Sequence, residues 1–360
     1  MQLVCTIVDP QRPGTCLFVF FPQAFSPVWE CLDRLKRKWN VDMMLEESLS
    51  EFGFMPAFAQ SEVTLVTTCE ELQDPLSQSL AEKYKDMKAN FVAVGPLLDS
   101  AGACRAAGHK LKSENQHVEC AYDAFDPLQQ LREARLQGKK VIYASMGTVV
   151  TGDSPDFGWH AQLQNGQGER TGVTGKQLCQ AAWRGLFDLE EAVLLVSVGP
   201  QPDALEGLEV PKNAFCSPTL PQVDILKEGV DVFLTHGGQN SFTESMAAGV
   251  PVVVCPGFGD QPVNAKKAAE LAVGLQVPRP DQASNLAAYS TEVAEALKKA
   301  RFLCLDAEAL RKVLAEPSFR ERSKCCEASL RRAGGVERAV EITKGVAKAR
   351  PGLDVASTPT

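Results

Sequence analysis

Twelve cysteines without one Cys-x-x-Cys pair, four histidines with none among the first 100 residues, and no long apolar run bound this chain before any motif is read. The cysteines follow neither zinc-ligand spacing nor a regular disulfide framework, which removes the metal-ribbon and disulfide-scaffold classes. Cys255 stands in an apolar run, where a thiol acts as a small hydrophobe, and the adjacent Cys325-Cys326 pair lies on a charged helical stretch. Such usage fits a reducing compartment. No stretch approaches the ~20 apolar residues of a membrane-spanning helix. Asp9-Pro10 and Pro13-Gly14 interrupt the apolar pieces of the N-terminus, and a secretion signal would have a basic start and an unbroken core. A cytoplasmic protein without a transmembrane segment is therefore expected. Basic surplus is missing too. The formal net charge of −8 argues against a nucleic-acid partner.

What is present is enough chain for two domains: 360 residues, 44% hydrophobic and 23% charged. From residue 139 onward, apolar runs alternate with helical stretches at α/β spacing. Strands are predicted at 140–145, 192–198, near 214–216, 250–255 and 274–277, and helices at 127–136, 177–187, 240–248 and 261–271. Charge-rich helices follow at 291–300, 307–314 and 318–333, where Arg, Lys and Glu mix as on a solvated face. Gly334-Gly335 ends the last of these, a further helix covers 336–347, and the Pro/Ser/Thr-rich tail from Arg350 reads as disordered. Before residue 100 the pattern supports a strand at 16–21, a helix at 27–39 and a buried strand at 63–67. Residues 100–138 begin polar and Gly/Ala-rich, as a linker does. The Gly-rich segment 151–176, with Trp159 and His160, shows no period and reads as a lid over a ligand edge or as disorder.

Chemistry concentrates in residues 233–261, FLTHGGQNSFTESMAAGVPVVVCPGFGDQ. The string reads as strand, glycine turn, helix, strand, and in an open α/β sheet the strand C-termini and the helix starts after them form the ligand crevice. His236, Gly238, Asn240 and Ser241 fall there. Gly237 and Gly238 let backbone approach a ligand, while the helix start offers unpaired N–H groups and partial positive charge to a phosphate. Glu244 follows Asn240 by four residues on the same helix side, and a carboxylate there suits a vicinal diol. Asp260 and Gln261, after the next strand, are suited to bonding several hydroxyls. Residue types alone thus point to phosphate plus polyol, with an ordinary βα turn as the plain alternative.

The order His236-x-Gly238-x-Asn240-Ser241-x-x-Glu244, then Ala248-Gly249-Val250-Pro251, Pro256, Asp260-Gln261 and Asn264, resembles the donor signature of the UDP-dependent glycosyltransferases of the GT-B fold. Its two glycines and Asn264 look most like the microbial macrolide and natural-product branch. Ser145-Met146-Gly147-Thr148 and Leu220-Pro221-Gln222 fall in family order upstream, as do Val63-Thr64-Leu65-Val66 and the Val94-Gly95-Pro96-Leu97 strand end. The resemblance implies two Rossmann-like domains, the N-terminal one incomplete. The implied plan is a partial acceptor-side domain over 1–110, a linker over 111–138 and a UDP-sugar-binding domain over 139–335. A C-terminal helix over 336–348 would pack back on the N-terminal domain, and 349–360 would be a disordered tail.

Residue by residue, the resemblance assigns the diphosphate to His236, Gly238, Asn240 and Ser241, with Ser145 in the phosphate region. It assigns the ribose to Glu244, the hexose to Asp260 and Gln261, and the side of the base to Gln222. The family's stacking Trp is replaced by Thr219. The family's base is a His at the end of the first strand of the acceptor domain, and no residue before position 100 matches it. His160 is the substitute candidate, against the reading of a mobile surface histidine. The implied reaction is inverting, metal-independent and cofactor-free transfer of a hexose from a UDP-sugar to a lipophilic small molecule. The alternative is a donor-binding subunit or module whose base arrives on a partner chain.

Overall fold

The computed structural model describes residues 4–6, 63–73, 78–86, 90–98, 125–164, 170–280, 282–305 and 318–348. The strand predicted at 16–21, the helices at 27–39 and 307–314, the linker histidines His109 and His117, and the tail from Arg350 lie outside these residues. By its contacts the chain divides into two compact units, Met1–Leu97 with Ala328–Thr360, and Leu98–Glu327.

The first unit holds β1 (Val4–Thr6), β2 (Thr64–Val66), α1 (Gln78–Asp86) and β3 (Phe91–Ala93). The strands form one sheet in the order β1-β2-β3, with β1 antiparallel and β3 parallel to β2. Val63, Leu65 and Val94 share a small core with Ala339, against which Val92, Ile342 and Val346 also pack. Ala339, Ile342 and Val346 come from the helix Gly335–Lys348, where they recur at helical spacing on one side. Gly95 takes φ 80°, and a side chain there would meet the Leu330 carbonyl at 2.8 Å. Only glycine permits that close approach.

The second unit contains α2 (Pro127–Leu136), β4 (Lys140–Ser145), β5 (Gln162–Gln164), β6 (Arg170–Thr174), α3 (Gly175–Phe187), β7 (Ala192–Ser197), β8 (Ala214–Ser217) and α4 (Gln222–Glu228). It continues with β9 (Val232–Thr235), α5 (Gln239–Ala247), β10 (Val252–Val254), α6 (Gln261–Glu270), β11 (Gly274–Gln276) and α7 (Leu286–Leu305). The helix α8 (Phe319–Arg332) carries the division between units, and α9 (Gly335–Lys348) belongs to the first. Six strands pair in parallel in the order β11-β10-β9-β4-β7-β8. Starting from β4, the chain first builds outward through β7 and β8, then returns to the other side for β9, β10 and β11. That is the doubly wound order, and its switch point lies between β4 and β9.

Burial explains the strand composition. Val141, Ile142, Tyr143 and Ala144 on β4, and Leu194, Leu195 and Val196 on β7, are all but inaccessible, as both faces of a parallel sheet are covered. On one face α3 and α7 pack together, with Leu178, Ala182, Trp183 and Leu186 against Tyr289, Val293 and Leu297. Ser290 donates to the Ala181 carbonyl at 2.8 Å at this crossing. On the other face α2, α4, α5 and α6 form a row of neighbours.

The segment 151–176 departs from the sequence expectation. It is neither a structureless lid nor a bare loop: β5 and β6 form an antiparallel hairpin, and Trp159, Leu163 and Val173 enter the main core. Trp159 donates from Nε1 to the Asp203 carboxylate at 2.9 Å, which satisfies its polar atom. Lys176 bridges Asp203 at 2.8 Å and Glu206 at 2.9 Å. Thr174 opens α3 with a reciprocal cap to Gln177. The missing periodicity in the sequence has a simple cause: short strands of three and five residues carry too few repeats to show a period.

Candidate functional site

The strand register lines up a polar edge. Ser145, the last residue of β4, is level with Thr235 of β9 and Ser197 of β7, and Ser197 is level with Ser217 of β8. Beyond this row the chain leaves the sheet at the switch point, where open doubly wound sheets hold their ligands.

His236 stands at the centre of that crevice. Gly147, one turn beyond β4, lies directly beneath its ring, and a Cβ on Gly147 would sit 2.4 Å from the imidazole. A Cβ on Gly238 would lie nearly as close, at 2.6 Å from Nε2. The two glycines therefore form a slot that only a missing side chain leaves open. The imidazole is partly buried, and desolvation drives its pKa down to about 4 although the nearby Asp260 charge and a Ser145 backbone bond favour the protonated form. At neutral pH the ring is uncharged, a neutral donor or acceptor rather than a cation. Thr235 Oγ1 lies 3.4 Å from its Nδ1 and also accepts from the Gly237 amide at 3.2 Å.

The turn that carries His236 is pinned from behind. Gly237 has φ 81°, and its carbonyl accepts from Asn264 Nδ2 at 2.8 Å. Helix α5 then starts at Gln239 with Gly238 as its cap and no side-chain cap of its own. The Asp260 carboxylate fills that role, accepting from the Gln239 amide at 2.7 Å. An acidic group at a helix start is favoured by the exposed N–H groups and the dipole, so this position selects negative charge. Asn240 is exposed beside it, and Ser241 is largely buried.

A second cluster sits on the α4 side. Gln222 donates to Glu244 at 2.7 Å and to Ser241 at 3.1 Å, while its carbonyl accepts from the Tyr143 hydroxyl at 3.2 Å. Burial raises the Glu244 pKa despite the bond from Gln222. Gln222, Ser241 and Glu244 are thus brought together, and the cluster links to β4 through Tyr143. Thr219 lies three residues before Gln222 and is partly buried.

Gln261 faces its own turn. Its Oε1 accepts from the amides of Gly257 at 2.8 Å and Phe258 at 3.2 Å, and the residue is buried. Asp260 and Gln261 therefore both lie at the β10 end of the crevice, the first reaching the start of α5 and the second closing the 257–261 turn. His160 is exposed on the segment before β5. Sequence reading did not single out Tyr143, or Gly147 as the floor of the histidine slot. Gly147 had a signal, since a glycine two residues beyond a buried strand marks a close approach; Tyr143 had none, because alternate positions of a buried strand look alike.

Part of this chain is similar to known proteins. Residues 173–300 match the family profile described as UDP-glucoronosyl and UDP-glucosyl transferase. A Bacillus subtilis (strain 168) protein, the uncharacterized UDP-glucosyltransferase YdhE, is 31% identical over 42% of this chain and 31% of its own length. Anthocyanidin 3-O-glucosyltransferase 1 of Fragaria ananassa is 26% identical over 66% of this chain and 45% of its own. The chain thus spans less than half the length of both relatives. The crystal structure of Os79 from O. sativa in complex with UDP superposes with a TM-score of 0.50 at 18% identity, covering 79% of this chain and 55% of that one, a likeness of fold. The similarity to the UDP-glucoronosyl and UDP-glucosyl transferase family thus lies in residues 173–300, which span strands β7 to β11 of the doubly wound sheet and include His236 at its switch point.

Proposed function

We propose that the chain transfers a hexose from a UDP-sugar to a hydroxyl or amine of a lipophilic small molecule, with inversion and without metal or other cofactor. The observation that carries this reading is the placement of His236 over Gly147 at the switch point, beside the start of α5, where Asp260 meets one of the N–H groups. There the leaving diphosphate would meet a neutral imidazole and the first N–H groups of a helix, electrostatic stabilisation aimed at charge that develops during transfer. In the structure Asp260 takes one of those N–H groups. Diphosphate binding would displace its carboxylate from the helix start and turn it toward the hexose. Glu244, held by Gln222 and kept partly desolvated, suits the ribose hydroxyls. The lipophilic acceptor is supported by the Fragaria relative, whose name gives it an anthocyanidin.

A second reading keeps the donor site and removes independent catalysis, making the chain a UDP-sugar-binding subunit or module served by a partner chain. It turns on the histidines: His236 sits at the donor crevice and His160 is exposed on the segment before β5. General-base help is typically worth about 10²–10⁴-fold, so an acceptor hydroxyl without it is a poor nucleophile. Calorimetry with UDP and UDP-glucose, followed by an assay of UDP release with phenolic and macrolide acceptors, separates the readings. Binding with acceptor-dependent UDP release supports transfer by this chain. Binding without release rejects it in favour of the module, and absence of binding rejects both.

A further inference from the structure

We propose that Phe157 is a positioning residue for the sugar end of the donor site, acting through Phe258 on the turn that carries Asp260 and Gln261. This rests on the functional reading above. The two rings stack with centroids 4.1 Å apart and planes 25° from parallel. Phe258 lies between Gly257 and Gly259, and Gly259 takes φ 63°, so the turn has little stiffness of its own. Its restraints include Gln261 Oε1 on the amides of Gly257 and Phe258, Asp260 on the Gln239 amide, the Gln261 amide on the Phe258 carbonyl at 3.2 Å, and the Phe157 ring. The first two use the polar groups that hydroxyls of a bound hexose would compete for. Phe157 is the side-chain restraint among them that a sugar leaves intact.

Phe157 is itself fixed on both sides. Upstream, Thr151 bonds the Gly147 carbonyl through its hydroxyl at 2.8 Å, and it packs so closely under Gly199 that a Cβ there would lie 2.3 Å from it. Downstream, Gly158 donates to the Ser154 carbonyl at 2.8 Å, and the Trp159 amide donates to the Gly152 carbonyl at 2.7 Å. Trp159 is anchored in the core. Gly199 follows β7 and Phe258 follows β10, so the segment runs along the C-terminal edge of the sheet from one side of the switch point to the other. It passes from the floor of the histidine slot to the hexose turn, which gives the chain a rigid connection between phosphate and sugar subsites.

The test compares the full chain with Phe157→Ala and Phe157→Tyr by amide hydrogen exchange and by calorimetry with UDP and UDP-glucose. In Phe157→Ala the Gly257 and Phe258 amides should exchange roughly three- to tenfold faster, the range expected for one lost aromatic pair. UDP-glucose affinity should fall by a similar factor while UDP affinity holds, and Phe157→Tyr should restore both. Unchanged exchange at the turn overturns the positioning role whether or not nucleotides bind. Equal weakening of UDP and UDP-glucose also overturns it, because the loss is then one of general folding. If the unaltered chain binds neither nucleotide, the functional reading fails and takes the sugar assignment with it, while the exchange result reports separately on the turn.

Discussion

At the scale of single residues, His236 is the most informative side chain. A hydrogen bond to a charged group is worth about 1.5–3 kcal/mol, so His236→Ala should weaken UDP binding roughly tenfold or more in calorimetry. Its depressed pKa also has a stability consequence. The folded value is about 4, while an unfolded histidine titrates near ~6.5. Between those values the unfolded chain binds the extra proton, so stability rises with pH across that window, and the contribution of His236 is lost as pH falls through it. Melting temperatures at pH 7, 6 and 5 should show a decline that His236→Asn makes shallower. The floor of the slot gives a sharper handle. Gly147 has φ 78° and lies under the imidazole, so Gly147→Ala is strained by backbone and by contact alike. It should lower stability by about 1–3 kcal/mol and should weaken UDP binding by displacing the ring, both readable in one calorimetric titration and one denaturant curve.

At the scale of elements, the hairpin segment before α3 carries more weight than its composition implies. Trp159 is fully buried, pairs with Trp183 at 6.0 Å and bonds Asp203. Trp159→Ala should cost about 3–5 kcal/mol in urea denaturation. Trp159→Phe should cost less, because it keeps the apolar bulk and loses the bond to Asp203. If both variants unfold at the wild-type midpoint, the segment is not part of the core. Helix α7 shows a comparable dependence on packing. Sequence periodicity predicts a helix over 291–300, yet α7 runs Leu286–Leu305, because its first turn is held by Ser290 against Ala181 and by Tyr289 in the core. The residues around the donor turn were more legible. Strand β4 and helix α2 coincide with the sequence expectation, since each has a clean pattern and a sharp stop at glycine.

At the scale of the whole molecule, the two units are unequal in what they reveal. The second buries a continuous core with both sheet faces covered, and it holds every residue assigned to the donor. Saturation with UDP should therefore raise the melting temperature of the full chain, with ~2.7 kcal/mol of added stability at a hundredfold excess over the dissociation constant. A melting temperature unmoved by millimolar UDP would count against the donor site. In the first unit, Val94 packs with Val63, Leu65 and Ala339, residues far apart in the sequence. Among the described residues no helix is long and apolar enough to cross a membrane.

The sequence alone determined the parallel sheet and the donor signature, because buried strands, glycine turns and helix starts are local and leave their mark in consecutive residues. It also placed His236, Glu244 and Asp260 near one edge, since βα turns of one sheet share that edge. Only the tertiary structure decided which partners they take: that Gly147 floors the histidine, that Gln222 holds Glu244, that Asp260 caps α5, and that Phe157 stacks on Phe258 in the 257–261 turn. Each of those pairs joins residues from different strands or turns, and contacts between distant segments are set by strand order and packing, which no window of sequence contains.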